Sequence, residues 1–133
     1  MKKIVTLLIL FCTATIFSQS NQDLLSHYKK YYKQMQSQAD IQGVINALTH
    51  LNVLEPSQAR KDTLATLYMN EGRHVEALNT IGVDKNDSDS DLAVQVKAFS
   101  LKAINDVEQA MVHYEELFKR KPNPFIAYEL AEM

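Results

Sequence analysis

Leu64-Ala65-Thr66-Leu67-Tyr68-Met69-Asn70-Glu71-Gly72-Arg73-His74-Val75-Glu76-Ala77-Leu78 is the stretch that decides the fold. Leu64, Ala65, Leu67 and Tyr68 fall at the spacing that gathers apolar side chains on one face of an α-helix. Gly72 stands where a helix end favours a residue free to take positive φ. Glu76-Ala77-Leu78 then begins a second apolar face, so the stretch predicts two helices joined by a tight turn. Ser57 can cap the first helix, just after a stop at Pro56. The second is short, about His74 to Ile81, and Gly82 ends it.

Outward from this hairpin the chain stays helical. Residues 21–38 carry Leu24, Leu25, Tyr28, Tyr31, Tyr32 and Met35 at helical spacing. Asp40 is placed to cap a helix whose apolar side is Ile41, Val44, Ile45, Leu48, Leu51 and Leu54. Downstream, the polar run Asp84 to Ser90 reads as a loop, followed by a helix over about Asp91–Ile104. Asn105 can take the left-handed turn and Asp106 can cap the next helix. Lys119, Arg120 and Lys121 sit at the negative end of that helix before Pro122 stops it, and Asn123-Pro124 restarts another.

Helices in pairs call for a test of internal periodicity. Ala65, Ala98 and Ala131 are spaced by 33, as are Val44, Ala77 and Ala110, and Leu48, Ile81 and Tyr114. Pro56 and Pro122 lie two periods apart, with Asp89 between them. A small residue at a fixed place lets two helix backbones approach, and a large one further on fills the neighbouring groove. The expected fold is all-α: antiparallel helix-turn-helix repeats, with units at about 25–57, 58–90 and 91–123 and the start of a fourth at 124–133.

In these residues the chain resembles the tetratricopeptide repeat family, whose units are usually about 34 residues long. Leu64-Ala65, Tyr68, Gly72 and Glu76-Ala77-Leu78 are similar to the family's Leu-Gly, Tyr, Gly and Ala pattern, and Ala98, Leu101, Ala110, Tyr114 and Pro122 repeat it. Lys97, at an apolar position, and Asp89, in the proline column, depart from it. The resemblance implies a short right-handed solenoid over residues 19–133. It also implies a concave groove for a peptide or partner helix, lined by Lys29 and Lys33, by Asp62, Thr66, Met69 and Asn70, and by Gln95, Phe99 and Lys102. The family's clamp for acidic tails needs paired Lys and Asn, which these positions lack; Met69 and Phe99 serve better as apolar anchors.

Composition narrows the function. With 14 basic and 16 acidic residues the net charge is −2, without the basic surplus that phosphate binding requires. Lys29, Lys30 and Lys33 flank Tyr28, Tyr31 and Tyr32, but the tyrosines hold buried-face positions and the lysines read as a solvated side. No nucleic-acid partner is expected.

The N-terminus reads as an address. Lys2 and Lys3 precede the apolar run Ile4–Phe17, too short for the roughly 30 Å of a bilayer core, and Ser18 supplies a small residue for cleavage. Residues 1–18 are therefore expected to be a cleavable signal peptide. The destination is the periplasm or cell envelope, or the medium, with no stable membrane insertion after cleavage. Cleavage would remove Cys12, the only cysteine, and both lysines, moving the charge to −4.

Motifs of chemistry are weak. His27, His50, His74 and His113 sit in no ligand spacing, and Asp87-Ser88-Asp89-Ser90-Asp91 lacks the glycine and closing glutamate of a calcium loop. Three glycines, at 43, 72 and 82, form no phosphate cradle. No enzyme activity, cofactor or metal is expected. The expected function is an exported interaction module or scaffold. An alternative is the N-terminal scaffold of a longer enzyme or sensor with its chemistry downstream of Met133, since the fourth unit lacks a second helix. Self-association through the C-terminal face is a third reading.

Overall fold

In the computed structural model the backbone is described for Lys2–Met133 and the side chains from Ser20 onward. The leader expected at residues 1–18 concerns side chains outside the described residues. The chain is all-α, with no strand among the described residues: α1 (Lys2–Ser37), α2 (Ile41–Leu54), α3 (Gln58–Asn70), α4 (His74–Ile81), α5 (Asp91–Ala103), α6 (Val107–Arg120) and α7 (Pro124–Glu132). It forms two compact units, one ending at Pro56 and one from Ser57 to Met133.

The caps show why the helices start where they do. Asp40 accepts from the Gly43 amide, Ser57 from Arg60, Ser90 from Ala93, Asp106 from Gln109 and Asn123 from Phe125. Each short polar side chain satisfies an amide that the first helical turn leaves without a partner. Pro124 occupies the first turn of α7, where its missing amide hydrogen costs nothing.

The 33-residue period extends to the backbone. Ala39, Gly72 and Asn105, one period apart, all have positive φ: 53°, 75° and 66°. After each, an amide reaches back across the turn, Asp40 to the Met35 carbonyl, Arg73 to Tyr68 and Asp106 to Leu101, at 3.0, 2.8 and 2.9 Å. The first helices of successive units begin in step as well, at Ser57, Ser90 and Asn123. One turn geometry therefore closes three hairpins: α1–α2, α3–α4 and α5–α6. Ala39 is the costly member, because a Cβ in the left-handed region costs roughly 1–2 kcal/mol. It is exposed and touches no core. Ala39→Gly should therefore stabilise the protein by about 0.5–1 kcal/mol, after the larger chain entropy that glycine loses on folding; the midpoint of urea unfolding measures it.

In the first unit α1 packs on α2. Met35 lies over Gly43 so closely that a Cβ there would come within 2.3 Å of its Sδ, which explains a glycine in the first turn of α2. Val44, Ile45, Ala47, Leu48 and Leu51 complete the buried face of α2.

In the second unit α3 meets α4 and α5, α4 meets α5, α5 meets α6 and α6 meets α7. Ala65 and Ala77 are fully buried with Val96, and Ala98 and Ala110 with Leu101 and Tyr114. These small residues sit where two helices cross, as their columns predict. Ala131 does not follow: it is exposed on α7, where no described helix lies over that face.

The middle repeat departs from its neighbours in one place. α2 and α6 have 14 residues each but α4 has 8, because Gly82, at φ 82°, ends it early. The residues that would have continued the helix form the loop Gly82–Ser90, so the period survives while the helix shortens.

Candidate functional site

The loop is held by basic side chains on its own backbone. Lys97 Nζ donates to the Asp84 carbonyl at 2.8 Å and to Asp89 Oδ2 at 2.6 Å. His113 Nε2 reaches the Val83 carbonyl at 2.7 Å and Arg120 Nη1 the Asp89 carbonyl at 2.6 Å. Lys97 and Asp89, the two departures from the repeat pattern, are thus partners. Lys97 is 2% exposed, a burial that an ammonium tolerates only when paired. Asp89, within the would-be calcium loop, has its carboxylate taken by Lys97, and Asn86 Oδ1 accepts from the Ser88 amide and hydroxyl.

A chain of charges continues from the loop to the end of α6. Glu116 pairs with Arg120 at 2.8 Å and Lys85 at 3.0 Å, and these two hold its carboxyl down to about 2. Asp91 faces Lys121 at 3.0 Å and Arg120 at 3.4 Å, which keep it below the ordinary carboxylate range.

Beside Lys121 lies a pocket of about 350 Å³, lined by Gln95 and Phe99 of α5, Leu117 of α6, Lys121 and Asn123 of the connection, and Phe125 and Ile126 of α7. Phe99 forms part of its wall, its ring 5.5 Å from Tyr114 and 6.2 Å from Phe125 in an edge contact. Tyr114 is buried, which pushes its hydroxyl well above the usual tyrosine range, with Glu129 adding to the shift. Glu129 also pairs with Lys102, tying α7 to α5. Phe125 and Tyr128 stay more than half exposed.

The groove residues expected from the sequence are distributed unevenly over this geometry. Gln95 and Phe99 line the pocket, and Lys102 stands one turn further along α5, committed to Glu129. Asp62 is buried and taken up internally, accepting from Ser90 Oγ at 2.6 Å and Gln58 Nε2 at 2.9 Å. Thr66 donates to the Asp62 carbonyl, Met69 packs beside Ala65, Ala77 and Val96, and Asn70 is exposed. In the first unit Lys29 faces Glu55 at 3.6 Å, and Lys33 is exposed on the same helix. Leu117, Lys121, Asn123, Phe125 and Ile126 were not foreseen as lining. Their signal was the Asn123-Pro124 restart, which sets Phe125 in the first turn of α7.

In the first unit His27 and His50 both meet the Tyr28 ring, at 5.2 Å edge-on and 4.4 Å stacked; in the second His74 contacts Ser100 Oγ at 3.2 Å and His113 is buried. Among the described residues no group of three or more His, Cys, Asp or Glu side chains could hold a metal ion, and no helix is long and apolar enough to cross a membrane. No protein-family model matches the chain, and no curated protein matches it.

Proposed function

We propose that the protein is an exported helical-repeat module, similar to tetratricopeptide repeat proteins, that binds another protein through the pocket between α5 and α7. The observation that carries this reading is the pocket itself. Two phenylalanines, one of them 54% exposed, stand at a concave site with aliphatic neighbours and a rim of Gln95, Lys121 and Asn123. Aromatic anchors inside a polar rim are the usual make-up of an interface centre. Hydrophobic matter and directional polar groups together suit a partner's side chain and its backbone. Lys121 is paired with Asp91 and Asn123 Oδ1 accepts from the Phe125 amide, and the lining holds no nucleophile set beside a base, so binding rather than bond-making is the chemistry the site favours. The basic and apolar start of the sequence supports export to the periplasm or envelope, and the net charge of −2 supports a protein partner over a nucleic acid.

Immobilised protein exposed to envelope extract tests the reading, with partners identified by mass spectrometry. Phe125→Asp, which places a charge at an exposed edge, should reduce recovery of a specific partner at least tenfold while the helical circular dichroism is unchanged. Phe99→Asp should do the same at the wall. Equal recovery by both variants would remove the pocket from the proposal.

A further inference from the structure

The Gly82–Ser90 loop is held by three side chains, and one of them is an imidazole. Arg120 and Lys97 are the other two. His113, which supplies the imidazole, is 1% exposed, with Nε2 at 2.7 Å from the Val83 carbonyl. A carbonyl only accepts, so Nε2 carries the proton. Nδ1 is then a bare lone pair, and it is buried with no hydrogen-bond partner. The Val83 carbonyl accepts from Nε2–H in either protonation state, but the partnerless Nδ1 suits the neutral ring, since a proton there would be a buried donor with nothing to accept it.

The charged groups facing this ring come from two elements. Lys97 approaches from α5, and Asp89 and Lys85 from the loop. On its own helix Glu116 is one turn on, already taken by Arg120 and Lys85. Asp89 is committed to Lys97 at 2.6 Å. A proton added at Nδ1 would therefore be a second buried cation beside Lys97, with no acceptor for its hydrogen.

We propose that His113 is a pH latch: neutral, it pins the loop to α6, and protonated, it releases the loop into water. Released, the ring gains solvent for both nitrogens, and Val83, already partly exposed, exchanges a protein donor for water. The shift of the ring agrees in sign: burial is the largest influence and lowers its affinity for protons below the ordinary histidine value, outweighing the Val83 carbonyl. By linkage, a group that binds protons more weakly when docked makes docking fall as pH drops through 6.5, the value of the open form. The release reaches the candidate site, because Arg120 joins the loop carbonyl of Asp89 to Asp91, which also holds Lys121 at the pocket rim.

Amide hydrogen exchange of the full chain, corrected for the intrinsic effect of pH, measures the opening of residues 83–90 against residues 65–69 in α3. Between pH 7.5 and 5.5 the loop's opening constant should rise, by up to about tenfold, with no rise in α3. In His113→Gln, whose amide can still donate to Val83 but does not titrate, the rise should vanish; in His74→Gln it should persist. A loop insensitive to pH, or one equally sensitive in His113→Gln, overturns the proposal. Should His113→Gln fail to fold, NMR titration of the wild-type ring decides. A midpoint below 6.5, shared by the amide shifts of Val83 and Lys85, supports the latch, and a midpoint at or above 6.5 overturns it.

Discussion

Lys97→Leu should destabilise the protein by about 3 kcal/mol, and Asp89→Ala by about as much or more. Each substitution leaves the other charge in place with little access to water, and stranding one member of a buried pair costs about 3–5 kcal/mol. The side chains are 3% and 12% exposed, so neither ion can recover its hydration without moving the loop. Lys97→Leu falls at the low end because Asp89 is the wetter partner. The double variant is the informative one. Leucine at 97 restores the residue that Leu64 and Leu130 supply at the same place in the neighbouring repeats, and alanine at 89 removes the stranded anion. A buried pair replaced by apolar side chains is often neutral or better, so the double variant should unfold within about 1 kcal/mol of the wild type. Urea unfolding of the four proteins forms a thermodynamic cycle. If the losses of the single variants simply add, the two residues do not act as a unit.

This pair also shows where sequence reading stops. Asp40, Ser57, Asp106 and Asn123 were legible as caps because capping is local: a short acceptor, an adjacent apolar run and three residues of backbone contain all the physics. The bounds of α4 were legible for the same reason, with Gly82 as punctuation. Lys97 and Asp89 each looked like an isolated defect in a periodic pattern. Their relation depends on the path of a loop, and a loop's path is decided by what its carbonyls meet in space. Asp62 went the other way. Its register placed it on the groove, but Ser90, 28 residues on, supplies the hydroxyl that draws it inside. Ala39 carried no signal at all, because alanine favours no turn, and only its place one period before Gly72 betrays the left-handed backbone. At the pocket, Gln95 and Phe99 could be read from the repeat, while Phe125 and Ile126 depend on how α7 leans on α6.

Leu101→Ala should cost about 3 kcal/mol, within the 2–5 kcal/mol range for a buried leucine cut to alanine. Leu101 is fully buried between Val94, Ala98, Ala110, Tyr114 and Leu117, so the lost methyl groups leave a void that helices on both sides must collapse to fill. Collapse is difficult here. Ala98 and Ala110 already bring α5 and α6 close, and the Leu101 carbonyl anchors the turn through the Asp106 amide. Ala131→Leu, at an exposed position of the alanine column, should stay within about 0.5 kcal/mol, as surface changes do. Leu101 touches no solvent, but Phe99 packs on the same cluster, whose members Leu117 and Ile126 line the pocket. The variant should therefore weaken partner recovery with no change in any lining residue. Calorimetric unfolding together with the same pull-down separates the two effects. A full loss of stability with binding intact would mean that the pocket is carried by α7 and its ties to α5 rather than by the core beneath it.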